Sequence, residues 1–315
     1  MLYHSLAFYK TNIKKEIIYC NFLNIIKKIY FLKIRKKKYK KMLNVKQIIY
    51  FLIIFKIWKK IEFKNIILIT TIYKNNIISN IDAFFKLYLI SIGKFYCNFI
   101  NLNNIFEKLK NLIWTNIGCY FLEDFKILNL NNINIIIESI DKIPYLSKFY
   151  LPNNVRISNT NRVRLGAFLS KGTTVMSEGY VNFNTFIGKN CMIEGRVSSG
   201  VYISNNTDIG GSSSIMGTLS GGGKNIISIG SNSLLGANSG IGFSIGDNCI
   251  IEAGLYITSG VKIFLFLKNN FIIIKAKKLS FINNLIFYRN SINGRIECCK
   301  NFIKSININK ILHKN

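Results

Sequence analysis

The chain has 315 residues, 49% of them hydrophobic, which suits two or three domains with a sizeable core and excludes a disordered polymer. Its formal net charge of +29 sits at the two ends: Val163–Gly260 carries five basic and five acidic residues. With no recognisable binding motif, the charge is expected to be incidental, and no specific nucleic-acid partner is expected. The only histidines, His4 and His313, lie near the ends, which removes histidine ligands and histidine bases from everything between them.

Residues 1–110 alternate lysine runs such as Lys36–Lys41 with apolar clusters such as Ile66–Ile72. The lysine runs read as solvated faces. Ile48–Phe55 is apolar over eight residues, far short of the ~20 that a membrane helix needs, so no membrane association is expected. Phe84–Ile92 places apolar residues on one face of a helix. The N-terminus lacks the charged, apolar and small-residue order of a secretory signal. Seven cysteines (20, 97, 119, 191, 249, 298 and 299) form no CxxC pair and no metal spacing, which fits a reducing cytoplasm. Ile127–Ile140, rich in Ile and Asn, reads as strand and loop. The only prolines, Pro144 and Pro152, mark a boundary at about 140–155.

From Ile157 the rhythm changes. Apolar residues recur every six positions at Ile157, Val163, Leu169, Val175, Val181, Ile187 and Ile193, then at Ile203, Ile209 and Ile215, at Ile229, Leu235 and Ile241, and at Ile245, Ile251, Ile257 and Ile263. Neither a helix nor a flat strand has this period. A hexapeptide repeat does, and it marks a parallel β-helix. Three hexads make one triangular coil, so residues eighteen apart should stack, Val163 on Val181, Leu169 on Ile187 and Val175 on Ile193. Nineteen of the 22 glycines fall between Gly166 and Gly260, where corners need permissive residues. Periodicity does not set the hand of the coil.

The repeat is interrupted at Ser214–Lys224, where Gly221–Gly223 marks a protruding loop. It lacks Walker A spacing. Beyond Ile263, Phe264–Ile274 reads as a strand pair across Asn269-Asn270, and Leu279–Phe287 with Tyr288–Gly294 completes a small basic C-terminal piece.

A fold of this kind can be an acyltransferase, a zinc hydratase or a bare column. The absence of histidine removes the hydratase. If the chain is an enzyme, proton transfer falls to Glu178, Glu194, Asp208, Asp247 or Glu252. Taken alone, Glu194 also reads as a solvated corner and Arg196 as a surface ion pair with Glu178 or Glu194. Cys191 and Cys249 read as packing residues, since nothing nearby would lower a thiol pKa.

Several motifs sharpen the choice: Arg162–Ala167, Gly172–Met176, Glu178-Gly179, Val181–Asn184, Ile193-Glu-Gly-Arg196, Asp208–Gly211, Ser214–Lys224, Leu234–Gly240, Gly246–Cys249 and Glu252–Tyr256. Together they resemble the tetrahydrodipicolinate N-succinyltransferase family in its actinobacterial-type branch, closely over Asp141–Val261 and weakly through Lys275–Lys277 and Arg289–Ser291. The resemblance implies a mainly β chain: a left-handed parallel β-helix over 151–265, an N-terminal α/β domain over 1–150 and a small β-rich C-terminal extension over 266–315. It implies a cytoplasmic homotrimer that moves succinyl from succinyl-CoA to the amino group of ring-opened tetrahydrodipicolinate. No tightly bound cofactor is expected, only succinyl-CoA as co-substrate.

The resemblance also implies roles. Glu194 is the catalytic carboxylate, as general base or as acyl-anhydride nucleophile. Gly217 offers a backbone N–H to the oxyanion. Arg196 contacts a ligand carboxylate. Gly211, Ser214, Ala237, Glu252, Ala253 and Gly254 line the succinyl-CoA groove. Lys275, Tyr288, Arg289, Asn290 and Ser291 meet the CoA end, where phosphates need cations. Magnesium on the trimer axis would fall to Glu178 and Asn161, and neutral Asn161 stands where the family has an aspartate, a weaker ligand for a hard cation. Two other readings remain at this stage: an acyltransferase for another amine such as an amino sugar, and a non-catalytic scaffold.

Overall fold

The computed structural model describes residues 2–11, 17–26, 40–42, 66–72, 74–127, 134–217, 226–267 and 270–302. The chain forms two compact units, one from Met1–Leu89 and Phe99–Pro144, the other from Ile90–Asn98 and Tyr145–Asn315. The apolar run Ile48–Phe55 and the loop glycines Gly221–Gly223 lie outside the described residues. Among the described residues, no helix is long and apolar enough to cross a membrane.

The first unit mixes helices with antiparallel strands. Leu2–Thr11 pairs with Ile17–Ile26 on one side and Ile66–Ile72 on the other, and Lys40–Met42 completes the sheet. A second sheet sets Leu112–Thr115 between Gly118–Tyr120 and Ile137–Asp141. The helix expected near Phe84 runs Asn80–Ser91 and starts at Ser79, whose Oγ accepts the Asp82 N–H at 3.2 Å. It is not one-faced: Ala83, Phe84, Phe85, Leu87 and Leu89 are all buried, as is Lys86. Lys86 Nζ donates to the Asn75 and Asn101 carbonyls and lies 3.7 Å from Asp82. Burial lowers its pKa, and Asp82 opposes that shift.

In the second unit the six-residue rhythm becomes a three-faced parallel prism. Column one is Ile157, Val175, Ile193, Ile209, Leu235 and Ile251. Column two is Val163, Val181, Val197, Ile215, Ile241 and Ile257. Column three is Leu169, Ile187, Ile203, Ile229 and Ile245. From Val163 onward all are buried. Each full burial contributes about 1.5–3 kcal/mol of transfer free energy.

The stacking interval is not constant. The three expected pairs form at eighteen residues, but Val181 then pairs with Val197, Ile187 with Ile203 and Ile193 with Ile209, each sixteen apart. The cause is local. Ile193 and Val197 are successive core positions only four residues apart, so the corner Glu194-Gly195 is two residues shorter than its neighbours. The corner from Ile241 to Ile245 is shortened in the same way. The interruption lengthens the next interval, and Ile203 pairs with Ile229.

The corner between faces three and one carries two ladders. Asn190, Asn206, Asn232, Asn248 and Asn284 all adopt left-handed φ between 53° and 60°. Asn190 Nδ2 donates to Asn206 Oδ1 at 3.3 Å, and Asn206 Nδ2 donates to Asn232 Oδ1 at 3.2 Å. Gly172 heads the row at φ +82°, where a Cβ would lie 2.1 Å from Asn190 Oδ1. Inside the corner, small donors each reach a carbonyl one coil on: Thr173 to Gly188 (2.8 Å), Cys191 to Ser204 (3.0 Å), Thr207 to Gly230 (2.8 Å), Ser233 to Gly246 (3.0 Å) and Cys249 to Ile282 (3.3 Å).

Cys191 and Cys249 therefore do the work of threonine and serine. Burial pushes the Cys191 thiol up to about 12 and raises that of Cys249. A thiol reagent should label neither in the native protein at pH 8, and both after denaturation. Cys191→Thr should cost less than about 1.5 kcal/mol in chemical denaturation and leave activity unchanged.

Two further features brace the prism. Phe168, Phe186 and Tyr202 stack along face three at 4.8 and 5.1 Å, and Tyr96 lies 4.7 Å from Phe186. Asn98 N–H donates to Asn184 Oδ1 at 2.8 Å, and Asn98 Nδ2 donates to the Gly200 carbonyl at 2.7 Å. At the C-terminal end, Leu285–Arg289 extends face one by pairing parallel with Ile250–Ile251. The strand pair expected across Asn269-Asn270 is Lys262–Phe266 against Phe271–Lys275.

Candidate active site

The corner where face one turns into face two collects most of the residues singled out in the sequence. Successive coils present Ser158–Arg162, Met176–Gly179, Glu194-Gly195, Gly210–Ser213, Gly236–Ser239 and Glu252–Leu255 there. Backbone N–H groups tie each level to the next: Met176 to the Ile193 carbonyl, Glu194 to Ile209, Gly210 to Leu235, Gly236 to Ile251 and Glu252 to Phe287. Glu194, Arg196, Gly211, Ser214, Ala237, Glu252, Ala253 and Gly254 thus lie along one edge of the prism. Arg289 joins them through its backbone N–H, which donates to Glu252 Oε2 at 2.7 Å.

At the Glu194 level, both Glu194 and Gly195 donate to the Ile209 carbonyl, at 2.8 and 3.2 Å. Ile193 points into the core, so Glu194 points outward. Gly211 on the next coil lies beside this carboxylate: a Cβ there would stand 3.5 Å from Glu194 Oε2. Arg196 is exposed, and the ion pair weighed for it with Glu178 does not form; Glu178 binds Arg162 instead, at 3.0 Å. Asp208 is half-buried one coil beyond Glu194, and burial, then the Glu194 charge, raises its carboxyl to about 6.

Not every expected residue meets this edge. Gly217 follows the face-two strand Ser214–Ile215 and belongs to the next edge, where a Cβ would press on Ser198 and Ser199. Lys275 lies on the outer strand pair, opposite Lys262. Ser291 is exposed in the turn after Leu285–Arg289, and Asn290 holds that turn. Its Oδ1 accepts the Ile292 N–H at 2.9 Å, and its Nδ2 donates to Glu297 Oε1 at 2.9 Å. Burial and a hydrogen bond to Glu297 push the Tyr288 hydroxyl up to about 12. Glu297 was missed in the sequence reading. Its signal was slight, a lone carboxylate in a basic segment, yet it organises both Tyr288 and Asn290.

The pair implied for magnesium does not fit a hard divalent cation. Asn161 offers a neutral amide, and the Glu178 carboxylate already holds a guanidinium. Among the described residues no three His, Cys, Asp or Glu side chains cluster as a metal site.

The repeat and its outward carboxylate edge define a class. It is that of the hexapeptide-repeat acyltransferases: residues 226–259 match the family model described as the hexapeptide repeat of succinyl-transferase, and the relatives that the chain resembles over most of its length are N-succinyltransferases. It is 44% identical over 240 residues to the 2,3,4,5-tetrahydropyridine-2,6-dicarboxylate N-succinyltransferase of Vibrio cholerae, covering 74% of this chain and 70% of that one. It is 45% identical over 241 residues to the Pseudomonas aeruginosa protein of the same name, covering 75% and 70%. A crystal structure from Campylobacter jejuni, assigned to 2,3,4,5-tetrahydropyridine-2-carboxylate N-succinyltransferase, superposes with a TM-score of 0.80 at 28% identity, over 95% of this chain and 92% of that one. The chain belongs to the tetrahydrodipicolinate N-succinyltransferase family.

Proposed function

We propose that the chain transfers succinyl from succinyl-CoA to the amino group of ring-opened tetrahydrodipicolinate, with Glu194 as its proton-handling carboxylate. The observation that carries this reading is the edge itself. It sets one outward carboxylate beside side-chain-free Gly210 and Gly211 and continues past Ala237 to Glu252–Gly254.

Succinyl-CoA lies along that edge. Four coil steps of ~4.8 Å separate the Glu194 level from the Arg289 level, about 19 Å in all. The thioester sits by Glu194, the pantetheine arm passes Gly211, Ser214, Ala237, Ala253 and Gly254, and the phosphates meet Arg289. Glu252 holds the strand that carries Arg289 through the hydrogen bond to its N–H. Arg196 grips a substrate carboxylate through its planar fork.

The amine must lose a proton to attack, and the tetrahedral intermediate needs a donor for its oxyanion. Glu194 takes a proton from the attacking nitrogen and returns it to the departing CoA thiolate. Gly217 supplies the oxyanion N–H. Within one chain Gly217 and Glu194 lie on opposite edges of face two. A homotrimer of left-handed prisms brings the Gly217 edge of one copy to the Glu194 edge of its neighbour.

The test is release of CoA thiol from succinyl-CoA in the presence of tetrahydrodipicolinate, with the oligomeric state measured in the same buffer. Turnover with this pair and a trimeric mass are expected. Turnover only with acetyl-CoA and a different amine, such as an amino sugar, would overturn the substrate reading, and no turnover with any acyl-CoA would favour a scaffold.

A further inference from the structure

We infer that Asp208 is a second proton-handling carboxylate of this site, taking the proton that the substrate ammonium must shed before it attacks. The inference rests on the proposed succinyl transfer. Strands Met192–Ile193 and Asp208–Ile209 pair in parallel, with Met192 opposite Asp208. Ile193 and Ile209 point inward, so Met192, Glu194 and Asp208 share the outer surface. Glu194 and Asp208 are diagonal neighbours there, roughly 7–8 Å apart along the backbone and within reach of each other's side chains. Gly210, directly across from Glu194, packs against the backbone of the following coil, where a Cβ would lie 2.6 Å from the Leu235 carbonyl oxygen.

The surroundings of Asp208 are unlike those of a structural carboxylate. It is half-buried in a ladder between buried Met192 and half-buried Leu234. Among the described residues its carboxylate takes part in no ion pair and no hydrogen bond. The charge that acts on it is that of Glu194, on the preceding coil. The nearby Cys191 thiol is buried and neutral, and Leu234 on the following coil brings no charge. A carboxylate left unpaired in apolar company destabilises the fold unless a ligand cation completes it. A primary ammonium entering beside Glu194 is such a cation.

The step balances as follows. Asp208 takes one proton from R–NH₃⁺ and becomes a neutral acid. The freed nitrogen lone pair forms the C–N bond to the thioester carbonyl, whose π pair moves to oxygen. Collapse breaks the C–S bond. Glu194 takes the second N–H proton and passes it to the thiolate, and Asp208 loses its proton to solvent. The sum is R–NH₃⁺ and succinyl-CoA giving the succinyl amide, CoA–SH and H⁺.

Because Asp208 titrates at about 6, kcat/KM for the amine should fall as pH drops through that value, since only the ionised form accepts the proton. Asp208→Asn should lower kcat/KM for the amine by ~10²-fold, abolish the limb near pH 6 and leave KM for succinyl-CoA unchanged. It should also raise Tm at pH 7. The folded-state pKa is raised, so the wild type loses stability as pH rises from about 4 to 6, and the variant escapes that loss. Asp208→Glu should keep the limb at reduced kcat, and it decides the matter should Asp208→Asn fail to assemble. Wild-type turnover with an unchanged Asp208→Asn profile, or loss of the limb in Asp208→Glu as well, overturns the role of Asp208 alone. No wild-type turnover overturns the succinyl-transfer reading and this inference together.

Discussion

Glu194→Gln should lower kcat by ~10²–10⁴-fold, the span a positioned general base supplies, with the assembly and Tm unchanged. Gln keeps the shape of Glu and removes both its basicity and its nucleophilicity. The fold should not notice. The side chain points away from the prism core, and the hydrogen bond that holds the corner comes from the Glu194 backbone N–H to Ile209. KM for succinyl-CoA should change little, because the CoA edge runs past Ala237 to Glu252–Gly254. Near wild-type turnover would remove Glu194 from the mechanism and move the proton work to Asp208 alone. A dissociated oligomer would make Glu194 a contact between copies instead.

The legible part of this fold was the part with a period. The β-helix follows from Ile, Val or Leu every six residues, because each such residue faces the narrow interior of the prism. What the period hid was the step at Val197. A four-residue interval inside a six-residue series looks like noise, yet it phases every later coil. The candidate site was legible as a set of residues but not as a place. Glu194, Gly211, Ala237 and Glu252 prove to be one edge only when the parallel register is known, and Gly217, close to Ser214 in sequence, turns onto the next edge. Glu252 reads as a ligand contact in sequence, whereas its carboxylate accepts the Arg289 N–H. The first 110 residues resisted for a physical reason. Ile, Phe and Lys serve its strands and its helix alike, and Asn80–Ser91 is buried nearly all round, with Lys86 included, so no amphipathic stripe could announce it.

The shortened corner also leaves no room for a side chain at Gly195. A Cβ there would lie 2.2 Å from Ser213 Oγ, 2.7 Å from the Ser213 carbonyl oxygen and 2.9 Å from the Gly210 carbonyl oxygen. The hydroxyl can rotate away; the two carbonyls belong to the coil and cannot. Gly195→Ala should therefore destabilise the protein by about 1–3 kcal/mol, the usual result of overpacking, read as a lower denaturation midpoint. It should also lower kcat by about 10²-fold, because relieving the overlap displaces the adjoining Glu194, and displacements near 1 Å cost that much. Ser213 separates the two obstacles. Its Oγ is buried without a hydrogen-bond partner, so Ser213→Ala should be close to neutral alone. Combined with Gly195→Ala, Ser213→Gly clears the side chain but neither carbonyl, so it should recover less than half of the lost stability and little of the lost rate. Full recovery would place the whole constraint in the hydroxyl. A lower midpoint with unchanged kcat would mean that the four-residue corner holds the prism together but does not aim Glu194.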